Sequence, residues 1–204
     1  MTAHERRFDP HHRDRLLDPA RWAKWDPPRL LATLGLQPGE SVVDLGCGPG
    51  FWTFPLAEIV GPEGVVWALD VSPEMLEALA ARHPPRQVRP LRSELPHINL
   101  PDASVDAVWG AFVVHEVEPL DALMREIHRV LRPGGRVGLL DWRPDAVHEE
   151  GPPRDHRLPP EIVRQALEAA GFHILPTDWQ HEDAYLIRAF RLELLGPSNI
   201  SSGR

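Results

Sequence analysis

At 204 residues, with 42% hydrophobic and 25% charged side chains, the chain has material for one globular domain with a buried core and too little for a second of ordinary size. The formal net charge of -8 argues against a nucleic-acid backbone as the main partner, because neutralising phosphates needs a Lys/Arg surplus. The single cysteine, Cys47, excludes an internal disulfide and a thiolate zinc cluster, and no apolar run approaches a membrane span, so a soluble cytoplasmic protein is expected.

Pro and Gly punctuate the chain into alternating short apolar runs and amphipathic stretches, the pattern of repeated βα units. Met1 to His12 is charged and histidine-rich, unlike a secretory signal. Residues 1–27 carry Phe8, Trp22 and Trp25, and prolines at 10, 19 and 27 interrupt any continuous helix. That segment is expected to be irregular, and it is a candidate lid. Residues 28–191 then form the domain proper. Pro28 to Leu34 reads as a short helix and Ser41 to Leu45 as the first strand; Val65 to Asp70 is the second. Pro73 to Arg82 follows as a helix, N-capped by Ser72 with Pro at its first position. Gln87 to Leu91 and Val105 to Trp109 are the third and fourth strands. Leu120 to Leu131 is a helix with Leu123, Ile127, Val130 and Leu131 on one face, stopped by Pro133-Gly134-Gly135 before the fifth strand, Arg136 to Asp141. The Pro-rich loop from Arg143 to Pro160 is too long for an ordinary connection and is a candidate functional loop. A helix from Glu161 to Ala170 ends at Gly171, and the runs Phe172 to Leu175 and Ala184 to Phe190 suit an antiparallel pair. Residues 192–204, Ser/Gly-rich from Gly196, read as a disordered tail.

The strongest chemical signal is Val42-Val43-Asp44-Leu45-Gly46-Cys47-Gly48-Pro49-Gly50, a strand with an acid near its end and then three alternate glycines. Glycines suit a sharp turn out of the sheet and a ligand lying on bare backbone. Phe51 stands where a dinucleotide fingerprint would have its third glycine, so a pyrophosphate is disfavoured, while the free N–H groups of the turn still suit a carboxylate. Asp44 would complement a ligand ammonium. Asp70, at the tip of the second strand, is placed to accept hydrogen bonds from both hydroxyls of a ribose.

On these residues the chain resembles the class I S-adenosylmethionine-dependent methyltransferases, from about Leu30 to Phe190. Ser93-Glu94 followed by Leu100-Pro101-Asp102-Ala103-Ser104-Val105-Asp106 looks like the family's segment after strand three, and Leu131-Arg132-Pro133-Gly134-Gly135-Arg136-Val137 like its turn into strand five. Within the class the layout is similar to the ubiquinone/menaquinone-biosynthesis-like small-molecule branch. The resemblance implies a doubly wound, Rossmann-like α/β fold, with a seven-stranded sheet of order 3-2-1-4-5-7-6 and strand 7 antiparallel. It implies S-adenosylmethionine as cofactor, held by Asp44, Gly46, Cys47, Gly48, Gly50, Asp70, Val71, Ser93, Glu94 and Ala111, with Glu94 on the adenine amine. The acceptor would be a small molecule; methylation of a protein or RNA side chain, and a non-catalytic cofactor-binding regulator, are the alternatives.

Departures narrow the chemistry. Gly110-Ala111-Phe112-Val113 stands where amide and adenine-amine methylation would need an Asn/Asp-Pro-Pro-aromatic motif, and Asp26-Pro27-Pro28 lies upstream of the glycine turn, in the wrong place to serve as one. Cys47, inside the cofactor loop, serves neither as a nucleophile for cytosine-C5 methylation nor as one of the several cysteines of arsenic methylation. His115, just past the fourth strand, is the candidate general base, against the alternative that it only orders the loop. Asp141 and Trp142 are next in line to shape the acceptor pocket. No ligand spacing links His11, His12, His115 and His148, so no metal site is expected.

Overall fold

The structure, a computed structural model, describes residues 8–177 and 179–192; the tail expected from Gly196 lies outside them. Seven strands, β1 (Ser41–Leu45), β2 (Val65–Asp70), β3 (Val88–Arg92), β4 (Val105–Ala111), β5 (Leu131–Trp142), β6 (Phe172–Leu175) and β7 (Ala184–Arg191), form one sheet of order β3-β2-β1-β4-β5-β7-β6. The pairs from β3 through β5 are parallel, and β7 runs antiparallel to both β5 and β6. This is the expected order and direction. Strand apolarity follows from burial on both faces. Val42, Ala107 and Leu186 join one core layer while their neighbours Val43, Val108 and Ile187 join the other.

The first layer is closed by α1 (Pro19–Trp25), α2 (Pro27–Ala32), α3 (Thr53–Val60) and α4 (Pro73–Ala81); the second by α5 (Leu120–Val130) and α6 (Pro160–Ala169). The open edge is β3, which contains Pro90, tolerable there because an edge residue need not donate to a second neighbour. β5 starts earlier than expected: Leu131 pairs with Val105 and Arg136 with Ala107, so Arg132–Gly135, the anticipated turn, bulges out within the strand.

The segment before Pro28 is not irregular. A 3-10 helix spans Pro10–Leu17, α1 follows, and α2 begins at Pro27. Each starts with proline at a first-turn position behind an aspartate cap: Asp9 accepts from His11 N, Asp18 from Ala20 N and Asp26 from Arg29 N. The three Asp-Pro steps thus start helices as well as break them, because proline's missing N–H is unneeded in the first turn. Trp25 is only 1% exposed and packs against Phe112, Trp142 and His181, which fixes the end of this segment in the core.

Asp183, fully buried, ties this segment to the rest. Its carboxylate accepts from Lys24 Nζ at 2.8 Å, His148 N at 2.9 Å and His148 Nδ1 at 2.9 Å. Burial would raise its pKa, but these donors outweigh burial and hold it well below the usual carboxylate range. A depressed carboxylate contributes stability that is present above its unfolded pKa and is lost as pH falls through its folded one. Asp183→Ala is expected to cost about 2 kcal/mol, from lost hydrogen bonds to a buried charged acceptor, and to flatten the loss of melting temperature on acidification below roughly pH 4. Thermal melts across pH 3 to 7 check this; parallel curves for both proteins would contradict it.

Candidate functional site

The site begins where β1 leaves the sheet. Gly46 and Gly48 have φ of 63° and 52°, in the left-handed region, and the turn they form is tied down twice. Cys47 N–H donates to Leu69 O at 2.8 Å, and Gly48 N–H donates to the Asp70 carboxylate at 2.8 Å, whose other oxygen accepts from Ser72 N at 2.9 Å. At Gly46 a Cβ would lie 2.6 Å from Val113 Cγ2, so this glycine permits close packing with the turn that follows β4. At Gly48 the nearest atom to a Cβ is Leu16 Cδ1, at 3.4 Å, and the residue borders open space.

That space is a cavity of about 1360 Å³ above the C-terminal ends of the strands. It exceeds the roughly 300–1,000 Å³ of a typical single-ligand pocket. Gly46, Cys47, Gly48, Asp70, Val71, Ser93, Ala111 and His115 all line it, which brings together most of the residues expected from sequence.

Three of them do not line it. Asp44 is 1% exposed and accepts from Thr53 Oγ1 at 2.6 Å, so it braces the start of α3 from beneath the turn. Burial pushes its carboxyl up to about 7, and its Oδ1 is buried without a hydrogen-bond partner. Gly50 is a packing glycine, with φ 93° and a Cβ position 2.5 Å from Leu79 Cδ1. Glu94 is exposed, and the wall beside it is made by Arg92, Ser93 and Leu95. Ser93 is itself committed, donating to His97 O at 2.7 Å.

Past β4, Phe112 turns the chain with φ 59°, donating its N–H to Leu140 O at 2.7 Å, and a 3-10 turn, Val114–Glu116, presents His115. The His115 ring is buried against Asp141 at the end of β5. Its Nδ1 is 2.7 Å from Asp141 Oδ1, and its backbone N donates to Asp141 Oδ2 at 3.0 Å. A carboxylate only accepts, so Nδ1 carries the hydrogen and Nε2 of the neutral ring keeps its lone pair. Burial works to lower the imidazole pKa, but Asp141 overcomes it and the net shift is upward. Nε2 lies 3.9 Å from Glu116 Oε1, and burial pushes the Glu116 carboxyl up to about 7. His115 also borders a second cavity of about 520 Å³, walled by Val117, Pro119, Leu120, Leu158 and Ile162.

The remaining walls come from the N-terminal helices, through Leu16, Arg21 and Lys24, and from residues 149–153 of the Pro-rich loop. Sequence reasoning missed Glu116, Arg21 and the His115–Asp141 pair. For Glu116 the signal was its adjacency to His115; for Arg21 it was the Asp18-Pro19 helix start three residues ahead. His148, Glu182 and Asp183 have candidate ligand atoms within 4.8 Å of one another, but the Lys24 ammonium is already on Asp183, and a cation there would have to displace it.

Residues 42–135 match the family profile described as a methyltransferase domain. A crystal structure of a SAM dependent methyltransferase from Aquifex aeolicus superposes with a TM-score of 0.84 and 31% identity, covering 91% of this chain and 100% of that one. Among curated proteins, the arsenite methyltransferase of Halobacterium salinarum is 35% identical over 143 residues, 68% of this chain and 35% of its own length. A demethylmenaquinone methyltransferase of a Geobacillus species is 33% identical over 124 residues, 59% of this chain and 53% of its own. The matched stretches thus span only about a third to a half of these curated relatives.

Proposed function

We propose, from the premise that the chain belongs to the S-adenosylmethionine-dependent methyltransferases, that it methylates a small protic acceptor and that His115 removes the acceptor's proton. The observation that carries this reading is that His115, backed by Asp141, stands in the wall of the same cavity as the glycine turn and Asp70.

The residues present fit the cofactor. Gly48 offers bare backbone to the cavity, and Asp70 borders it with a carboxylate suited to a ribose diol. The bound cofactor supplies a methyl already activated on a sulfonium, so alignment and exclusion of water are the protein's main tasks. Gly46, Gly48, Asp70 and Val71 would hold it, with Cys47, Ser93 and Ala111 completing the wall. Asp141 fixes the His115 tautomer, and Nε2 accepts the proton that the acceptor loses.

The acceptor class follows from the same walls. Phe112, Trp142, Pro152 and Pro153 are apolar and largely flat, which suits a planar molecule with an ionisable hydroxyl or acidic C–H, such as the substrate named for the demethylmenaquinone methyltransferases. Arsenite is disfavoured although one relative bears that name, because the only cysteine, Cys47, is buried and its thiol is pushed well up by burial.

Titration calorimetry with S-adenosylhomocysteine tests the cofactor site. Asp70→Ala is expected to weaken binding by about 1.5 to 3 kcal/mol, the range for lost hydrogen bonds to a charged acceptor, with the fold retained. Unchanged affinity in the folded variant would remove Asp70 from the site. An acceptor screen over hydroxylated aromatics and quinols, reading S-adenosylhomocysteine formation, tests the chemistry.

A further inference from the structure

Helix α1 brings two cations to the cavity wall, and they are treated differently. Lys24 is paired twice, with Asp183 and with Glu150, each at 2.8 Å. Arg21 has no such partner among the described residues. Its Nε is buried without a hydrogen bond, and among the described residues no carboxylate forms an ion pair with it. Glu150 and Asp18 act on it only at longer range, and burial lowers its pKa. The guanidinium stays charged at neutral pH all the same. It rests against two rings, 5.2 Å from the Phe51 centroid and 5.7 Å from the Phe112 centroid. Cation–π contact offsets part of the desolvation cost, but a largely buried, unpaired cation remains expensive unless an anion joins it.

The position says which anion. Phe51 directly follows the glycine turn and Phe112 directly follows β4, so Arg21 overlies the wall between those two features. Asp70 and the Ser93 region claim the nucleoside end of the cofactor in the reading above. The opposite end of that extended molecule, an α-amino acid, then points toward Arg21. We propose that Arg21 receives the α-carboxylate of the cofactor's methionine end and that this ion pair fastens α1 over the occupied cavity. The proposal rests on the cofactor reading. It adds a partner for a charge that has none among the described residues, and it makes closure depend on one functional group of the ligand.

The experiment compares S-adenosylhomocysteine with 5′-methylthioadenosine, which keeps the nucleoside and the sulfur but lacks the amino acid. In calorimetry, Arg21→Met is expected to weaken S-adenosylhomocysteine binding tenfold or more and to change 5′-methylthioadenosine binding less than twofold. Arg21→Lys should fall between, keeping the charge without the planar fork. In the unaltered protein, hydrogen exchange across Pro19–Trp25 should slow with S-adenosylhomocysteine and not with 5′-methylthioadenosine, a readout that needs no variant to fold. Equal losses for both ligands would mean a structural role, and no loss for either would hand the guanidinium to another anion; each result overturns the proposal. Failure of the unaltered protein to bind S-adenosylhomocysteine would overturn the cofactor reading and this proposal with it.

Discussion

Gly48→Val is expected to abolish measurable S-adenosylhomocysteine binding, a loss of more than about 100-fold, while leaving the domain folded. Two physical effects combine. The residue sits at φ 52°, where a β-branched side chain is strained by roughly 1–3 kcal/mol. Its Cβ would meet Leu16 Cδ1 at 3.4 Å, so the methyl groups beyond it would enter the cavity and push the covering helix away. The same change at Gly46 or Gly50 is a poorer test, because there the Cβ already collides with Val113 or Leu79 and the core itself would suffer. Calorimetry paired with a thermal melt separates the cases. A folded Gly48→Val protein that binds normally would reduce the glycine turn to a turn and undo the assigned site.

His115→Asn should lower turnover by about 10²–10⁴-fold, the usual worth of a positioned base, with S-adenosylhomocysteine affinity changed only a few-fold. Comparable losses in both would make His115 a loop-ordering residue. The pH dependence carries an independent sign. Asp141 raises the His115 pKa, so the basic form, and with it kcat, should rise through a pKa above the ordinary 6.5. Asp141→Asn removes that charge and should move the limb to lower pH while reducing its height. For stability the sign is the opposite of Asp183: a raised histidine contributes fully below its unfolded pKa, and the contribution is lost as pH rises through its folded one.

The sheet was legible because strands buried on both faces leave apolar runs that few other structures produce, and β1, β2 and β6 occur at their expected bounds. The 3-10 helix and α1 were not legible, since elements of eight and seven residues are too short to establish a 3.6-residue period, whereas α2 overlaps the short helix expected over Pro28 to Leu34. Their information lies in the Asp-Pro steps, where the aspartate caps the helix that the proline starts. Asp44 and Glu94 were identified by position in a motif, and only tertiary packing sends one beneath the turn and the other out to solvent. The partners His115 and Asp141 are separated by 26 positions in sequence and meet because β4 and β5 are neighbours, a consequence of strand order that no local pattern encodes.

Pro90 bears on how copies of the molecule meet one another. An open sheet edge is a template for another strand, and the outer strand here offers Arg89, Pro90 and Arg92 along that template. A second chain trying to extend the sheet would find a missing donor and two like charges. The opposite edge, β6, is only four residues long. Lateral growth of the sheet is therefore blocked at both ends by composition and length, so the strands can remain apolar enough to build the cavity floor without making the native protein a seed for fibrils.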